Sequence, residues 1–460
     1  MTEIGRDGTY LEKIQDIISG PVFPEKKFLD SGTTYRQIYG MAADIRSRYD
    51  DENKTVCIAV GNRAVMAASV LSALSGGPAL VLPYSNSPKV LSETYFRTRY
   101  SAAIVSSADV ALPRGVEHIV PEPGNGSWES GRYDVNPDKP FITLFTGGST
   151  GIPRTWSKTP VNLLGEAIHT MKRFNISSSD RVAATVSPYH IYGLLFSVLI
   201  PLVSSASVLE ETFTFPGEII SAIEKKSASI LVSVPVHYRA LEGHSIKRGN
   251  LLRLAFSSAG ALDKDDGRYF FEQTGVGVTE VYGSTETGGI ALRNRSLGEE
   301  SLAPFDMVDW KISEDRLYVR SAFLSPELER DRDGYFRTGD RAACADGKIT
   351  LLGRVDGIVK VGGRRVDLED IRKKIKNING ITDAFVFSRP AAGGRENEIA
   401  AAVETLLGRK EILKKLSTVV EPYALPRRIR NMKKIPVTKT GKYDRKALSG
   451  LFDQTSKSIV

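Results

Sequence analysis

The chain has 460 residues, of which 41% are apolar and 25% charged. That is an ordinary globular balance; it excludes a disordered, collagen-like or coiled-coil protein and allows about two to four domains. The formal net charge of +8 is uneven: residues 354–460 carry 24 Lys and Arg against 12 Asp and Glu, whereas residues 1–353 carry 38 against 42.

The N-terminal stretch MTEIGRDGTYLEKI lacks the basic-then-apolar order of a signal peptide. Ala79–Leu82 and Phe141–Phe145 read as buried strands, and Thr155–Thr159 as a further strand. Pro160–Phe174 reads as a helix, with Thr159 as its N-cap and Pro160 at the first helical position. Arg181–Val186 (strand), Ile191–Val203 (mostly helix) and Ser207–Leu209 (strand) follow. From Val182 to Leu209 only His190 can carry charge, but Pro188, Gly193, Pro201 and the Ser204-Ser205-Ala206-Ser207 stretch break the run. It is expected to be a loop, a buried helix and a buried strand rather than a membrane span.

Next come Pro216–Lys226 (helix), Ser229–Val234 (strand), Val236–Glu242 (helix), Leu251–Phe256 (strand), Asp265–Thr274 (helix) and Val276–Tyr282 (strand). This alternation predicts parallel sheets covered by helices. After Gly289 short strands such as Arg316–Arg320 and Lys348–Leu352 are separated by turn signals such as Asp331-Arg332-Asp333-Gly334, which predicts a small antiparallel section. The basic segment holds strands Ile358–Val361 and Ala384–Ser388 and helices Leu368–Ile375 and Arg409–Leu416, an α+β pattern. The expected organisation is an α/β fold: a large domain over 1–353, a boundary at 354–357 and a separate small α+β domain over 358–460. Two cysteines, Cys57 and Cys344, and no CxxC fit reduced structural thiols in a cytoplasmic protein. The basic segment suits an acidic partner such as nucleotide phosphates, an acidic protein or nucleic acid, although no nucleic-acid-binding motif accompanies it.

The segment Thr146-Gly147-Gly148-Ser149-Thr150-Gly151-Ile152-Pro153-Arg154 combines glycines that admit close backbone approach with hydroxyls and a cation, the make-up of a polyphosphate cradle. It is not a Walker A loop, and in isolation it reads also as a flexible Gly/Ser connection between strands. Tyr282-Gly283-Ser284-Thr285-Glu286-Thr287-Gly288-Gly289 follows a strand directly, at the strand end where parallel sheets bind ligands. Its aromatic could stack a base, its hydroxyls hold a phosphate and its carboxylate bind Mg²⁺. Tyr335–Asp340, Gly353–Asp356, Lys360–Val366 and Thr440-Gly441-Lys442 come next; singly, Asp340 reads also as a turn cap and Lys442 as a surface lysine.

In their order and spacing these segments resemble the successive core motifs of the acyl-adenylate-forming superfamily: acyl- and aryl-CoA synthetases, firefly luciferase and peptide-synthetase adenylation domains. Leu74–Pro83, Ser187-Pro188-Tyr189-His190-Ile191-Tyr192-Gly193 and Ser257–Leu262 extend the resemblance to nearly the whole chain. It implies that Thr146, Gly147, Gly148, Ser149, Thr150 and Gly151, with Arg154, hold the β- and γ-phosphates of ATP. Tyr282 would stack on adenine beside Gly260 and Ala261, in a nucleotide loop that includes Gly283 and Ser284. Thr285 would contact the α-phosphate and Glu286 would bind Mg²⁺. Asp340 would accept from both ribose hydroxyls, which suits an acceptor-only carboxylate. Arg354 and Arg365 would also serve the nucleotide, and Asp356 would be the hinge. Lys442 would be the catalytic lysine of the mobile domain. His190 would sit between the carboxylate site and a thiol tunnel formed by Lys360, Gly362 and Gly363.

The implied activity is ATP-dependent formation of an acyl-adenylate, followed by transfer of the acyl group to the pantetheine thiol of CoA. Loading of an acyl carrier protein through its phosphopantetheine, and a non-catalytic nucleotide-binding protein that keeps the fold, are the alternatives. A small carboxylic acid is the expected substrate, with no nucleic-acid partner; the oligomeric state is open. Arg154 replaces the family's usual lysine, Gly147-Gly148 its usual Ser-Gly, and the antiparallel section is short and lacks a Gly-Glu signature. Val186–His190 has no acid where amino-acid-activating members place an aspartate. A buried ammonium needs such a partner, so an aryl or fatty acid fits better. The similarity to short bacterial ligases of aryl-polyene-type pathways favours the aryl acid.

Overall fold

Two sheets carry the N-terminal part of the chain. In the first, β1 (Thr55–Ile58), β2 (Ala79–Leu82), β3 (Ala102–Ile104), β4 (Glu117–Ile119), β5 (Ile142–Thr146) and β6 (Arg154–Lys158) lie in the order β4-β3-β1-β2-β5-β6. All neighbours are parallel except β5 and β6, which form an antiparallel pair. In the second, β7 (Arg181–Ala184), β8 (Ser207–Thr212), β9 (Ile230–Ser233), β10 (Leu254–Ser257), β11 (Val278–Ser284), β12 (Gly288–Asn294) and β13 (Ala303–Pro304) lie in the order β13-β12-β11-β10-β9-β7-β8. Five strands are parallel, and β12 and β13 continue the sheet antiparallel. The computed structural model describes residues 8–49, 54–123, 127–146, 154–247, 249–354, 357–361, 364–390, 397–438 and 441–453.

Strand period decides the packing, because successive side chains point to opposite faces. Val56 and Ile58 enter one core together with Val182 and Ala184. Between them in sequence, Cys57 faces a second cluster with Leu91 and Tyr100, and Ala183 faces a third with Ile219 and Phe270. One core therefore joins the two sheets, and each sheet buries its other face separately. Neither cysteine is in a disulfide: Cys57 is buried and Cys344 is exposed.

Local chemistry sets the helix limits. Thr159 Oγ1 accepts from Asn162 N (3.3 Å) while Asn162 Oδ1 accepts from Thr159 N (3.0 Å), a reciprocal cap at the expected start. The helix opens with a π-turn, Val161–Gly165, before the regular Glu166–Arg173. Helix Lys264–Thr274 is capped by Asp263 and ends at Gly275, whose φ of +76° suits glycine. The strand expected from Leu251 begins only at Leu254. Asn250 Oδ1 accepts from Leu252 N (3.0 Å), which turns the backbone and leaves Leu251 exposed. Residues 182–209 form β7, a loop, helical segments over 191–204 and β8. Among the described residues no helix is long and apolar enough to cross a membrane.

The chain divides into two compact units: Met1–Asp309 with Arg320–Arg330, and Trp310–Val319 with Asp331–Val460. The short antiparallel sheet, β14 (Asp309–Ser313), β15 (Arg316–Arg320), β16 (Phe336–Ala345) and β17 (Lys348–Arg354), falls mainly in the second. That unit also holds the hairpin β18 (Ile358–Val361) and β19 (Arg364–Asp367). A sheet of β20 (Ile381–Pro390), β21 (Asn397–Thr405) and β22 (Arg428–Met432) completes it. Helix Leu368–Lys376 is capped by Asp367, with Glu369 and Asp370 in its first turn and three lysines in its last, as its dipole favours.

Candidate active site

In the first unit the described candidate groups lie after the carboxyl ends of β7, β10 and β11 and at the paired ends of β5 and β6. Residues 147–153 of the glycine-rich loop, including Gly147, Gly148, Ser149, Thr150 and Gly151, lie outside the described residues. Its two ends do not: Thr146 and Arg154 are cross-strand partners, and Thr146 Oγ1 donates to the Arg154 carbonyl (3.3 Å).

The turn after β11 is held open by its own hydroxyls. Ser284 N donates to Thr287 Oγ1 (3.1 Å), Thr287 N donates to Ser284 Oγ (3.3 Å), and the two hydroxyls lie 2.9 Å apart. Thr287 is 2% exposed, whereas Thr285 and Glu286 between them stay half-buried. The register shifts between Tyr282 and Gly283, where β11 runs against the start of β12. The 260–262 turn is tied to the same strand: Glu280 Oε1 accepts from Leu262 N (3.2 Å), and Arg293 forks onto both Glu280 oxygens (2.7 and 2.9 Å). Ser258 Oγ donates to the Val281 carbonyl (2.8 Å). These bonds fix both ends of the turn that carries Gly260 and Ala261 to β11, the strand that carries Tyr282.

Two buried ionisable groups missing from the expected set tie these loops together. Lys158, at the end of β6, is 1% exposed, and Nζ donates to the carbonyls of Phe323 (3.1 Å) and Glu286 (3.5 Å). Glu166 is 5% exposed, and Oε1 accepts from Gly289 N (2.7 Å). Burial lowers the Lys158 pKa and raises that of Glu166, and their mutual attraction opposes both shifts. One strand thus leaves the glycine-rich loop and ends by holding the carbonyl of Glu286.

His190 starts the helical run after β7, and its carbonyl accepts from Leu194 N (2.8 Å). Gly193 is packed so closely on the Ser187–Pro188 backbone that a Cβ would lie 2.7 Å from the Ser187 carbonyl carbon. Arg63, also outside the expected set, braces this region from within. Nε donates to Ser197 Oγ (3.0 Å), Nη1 to the Glu210 carbonyl (2.7 Å) and Nη2 to Thr212 Oγ1 (3.0 Å).

In the second unit Asp340 lies on β16, opposite Arg354 on β17, and its N–H donates to Thr338 Oγ1 (3.1 Å). Lys360 and Arg365 are cross-strand partners in the β18–β19 hairpin. Gly362 and Gly363 at its tip, and Asp356, lie outside the described residues. Lys442 is exposed, on a turn where Thr438 N donates to the Lys442 carbonyl (2.7 Å) and Gly441 has φ +74°. Among the described residues no cluster of three or more His, Cys, Asp or Glu could cage a metal. A lone half-buried carboxylate such as Glu286 fits Mg²⁺, which is usually held by one or two carboxylates together with substrate phosphates.

The AMP-binding enzyme family model matches residues 52–322, and the chain belongs to that family. It is 26% identical over 344 residues to the sulfoacetate–CoA ligase of Cupriavidus necator, a match covering 67% of this chain and 66% of the ligase. It is 26% identical over 374 residues to the dimodular nonribosomal peptide synthase of Bacillus subtilis, covering 72% of this chain and 15% of the synthase. The chain thus spans less than two thirds of these relatives. Its fold is similar to that of ATP-bound MatB from Rhodopseudomonas palustris, with a TM-score of 0.82 and 18% identity over 97% of this chain and 99% of that one.

Proposed function

We propose that this chain is an AMP-forming acid–thiol ligase. In the first step a carboxylate oxygen attacks the α-phosphorus of ATP, the bond to the β-phosphate oxygen breaks, and pyrophosphate leaves. In the second a thiol sulfur attacks the acyl carbon of the mixed anhydride, AMP leaves with the former carboxylate oxygen, and the thiol proton passes to solvent. The observation that carries this reading is the link, through Lys158, between the strand leaving the glycine-rich loop and the carbonyl of Glu286. It supports a phosphate cradle and a hydroxyl–carboxylate turn acting on one ligand.

Tyr282 stacks the adenine, Thr285 binds the α-phosphate, and Thr146 and Arg154 flank the β- and γ-phosphates. Asp340 holds the ribose hydroxyls, Arg354 and Arg365 add cationic contacts to the nucleotide, and Asp356 is the hinge. Glu286 holds Mg²⁺, which supplies charge neutralisation for the phosphates. Lys442 offsets the charge that builds where two anions meet. His190 borders the acid, and Lys360, Gly362 and Gly363 form the path of the pantetheine arm. The substrate is an aryl or fatty acid and the location is the cytoplasm.

The test is magnesium-dependent exchange of labelled pyrophosphate into ATP with benzoic, octanoic and palmitic acids, thiol omitted. Exchange with at least one acid is expected. A folded, ATP-binding preparation that exchanges with none is the non-catalytic nucleotide-binding protein instead.

The basic C-terminal segment favours a second reading of the acceptor, an acidic carrier protein in place of free CoA. Exposed charges steer a partner over about 8–10 Å at ordinary ionic strength. Acyl transfer to a carrier protein is then expected to slow as salt rises; salt-independent transfer with efficient turnover of free CoA assigns CoA.

A further inference from the structure

We propose that Tyr443 is a positioning residue for Lys442: its phenol, clamped between Arg372 and Asp383, sets the direction in which the lysine projects. The proposal rests on the reading of Lys442 as the lysine of adenylate formation.

Val437 forms an antiparallel bridge with Tyr443, and Asp444 N donates to the Pro436 carbonyl (2.9 Å). Lys442 directly precedes the bridge residue, and Thr438 N donates to the Lys442 carbonyl (2.7 Å). Holding the Tyr443 side chain therefore fixes the backbone from which the exposed Lys442 projects. The Tyr443 hydroxyl uses both its capacities: it accepts from Arg372 Nη2 (2.8 Å) and donates to Asp383 Oδ2 (2.7 Å). The ring lies 5.0 Å from that of Phe385.

The clamp is itself fixed. Arg372, on helix Leu368–Lys376, donates from Nε to the Ala384 carbonyl and from Nη1 to Glu369 Oε1, each at 2.7 Å. Asp383, on β20, is 6% exposed, accepts from Ala384 N (2.9 Å) and faces Lys376 at 3.7 Å. Burial is the largest influence holding the phenol above the ordinary tyrosine range, so it keeps the proton it donates. Gly441, on the other side of Lys442, has φ +74° and no side chain that could anchor it in the same way. One hydroxyl thus couples the lysine to a helix and a strand of the same unit.

The test compares Tyr443→Phe with wild type in two assays: pyrophosphate exchange with the best acid of the benzoic, octanoic and palmitic set, and consumption of the corresponding synthetic acyl-adenylate with CoA. Losing two hydrogen bonds of ordinary strength is expected to slow exchange about tenfold and to leave thiolysis within about twofold. The ratio of the two rates does not depend on the folded fraction, so partial unfolding of the variant leaves the test intact. Asp383→Asn, which weakens the acceptor, is expected to shift the ratio the same way by less. Lys442→Ala is the control. If it loses exchange while Tyr443→Phe keeps the wild-type ratio, the positioning role is wrong and the reading of Lys442 stands. If Lys442→Ala exchanges normally, that reading falls and the positioning role with it.

Discussion

Replacing Lys442 with alanine is expected to slow adenylate formation by about 10²–10³-fold, the usual effect of removing one preorganised donor from developing charge. The first step brings a carboxylate against a phosphate, so repulsion dominates its barrier. The second brings a thiol to a neutral acyl carbon and has no such need. The same variant is therefore expected to consume a synthetic acyl-adenylate with CoA at a rate near wild type. Lys442 is exposed, and the prediction rests on the proposal that the small domain over 358–460 turns about Asp356 between the two steps. Measuring both half-reactions on one preparation checks this; equal loss of both would remove domain alternation from the account.

Gly283→Ala is expected to reduce adenylate formation by about 10²-fold, the scale on which a misplacement of about 1 Å acts. At Gly283 a Cβ would lie 2.9 Å from Gly289 Cα and 3.0 Å from the Gly288 carbonyl carbon, both backbone atoms. Neither can swing aside as a side chain would. Gly288 is held in turn: its φ is +68°, and a Cβ there would meet Glu166 Oε2 and Phe323 Cβ at 2.8 Å. The displacement must therefore be taken up by Thr285 and Glu286, between these glycines. The expected signature is a raised KM for MgATP together with a lowered exchange rate at saturation. A variant with wild-type exchange would show that the turn tolerates the shift.

The strands and the glycine-bearing turns were legible because their signals are local. Phe141–Phe145 is apolar but for Thr143, Thr159-Pro160 announces a helix start, and Tyr282–Glu286 sets an aromatic, hydroxyls and a carboxylate directly after a strand. The buried polar framework was not legible, because its partners are remote in sequence. Lys158 ends the unremarkable strand Arg154-Thr155-Trp156-Ser157-Lys158, and its acceptors lie at 286 and 323. Glu280 and Arg293 lie on adjacent strands of a hairpin whose register the sequence does not state. Tyr443 is beside Lys442, but Arg372 and Asp383 come from a helix and a strand some sixty to seventy positions earlier. The one available signal was a lysine immediately before a helix cap, Lys158-Thr159, where the chain turns inward. The late start of β10 follows from Asn250, whose side chain captures Leu252 N before the ladder begins.

In the proposed reaction the acid is activated at the α-phosphate of ATP, and oxygen tracing reads that bond directly. An acid that supports exchange, labelled with ¹⁸O in both carboxylate positions, is turned over with ATP, Mg²⁺ and CoA, and the nucleotide products are weighed by mass spectrometry. An acyl-adenylate predicts one ¹⁸O in AMP for each thioester formed and none in pyrophosphate. Label in inorganic phosphate or pyrophosphate, with unlabelled nucleotide, would place the activating bond elsewhere on ATP and contradict the account.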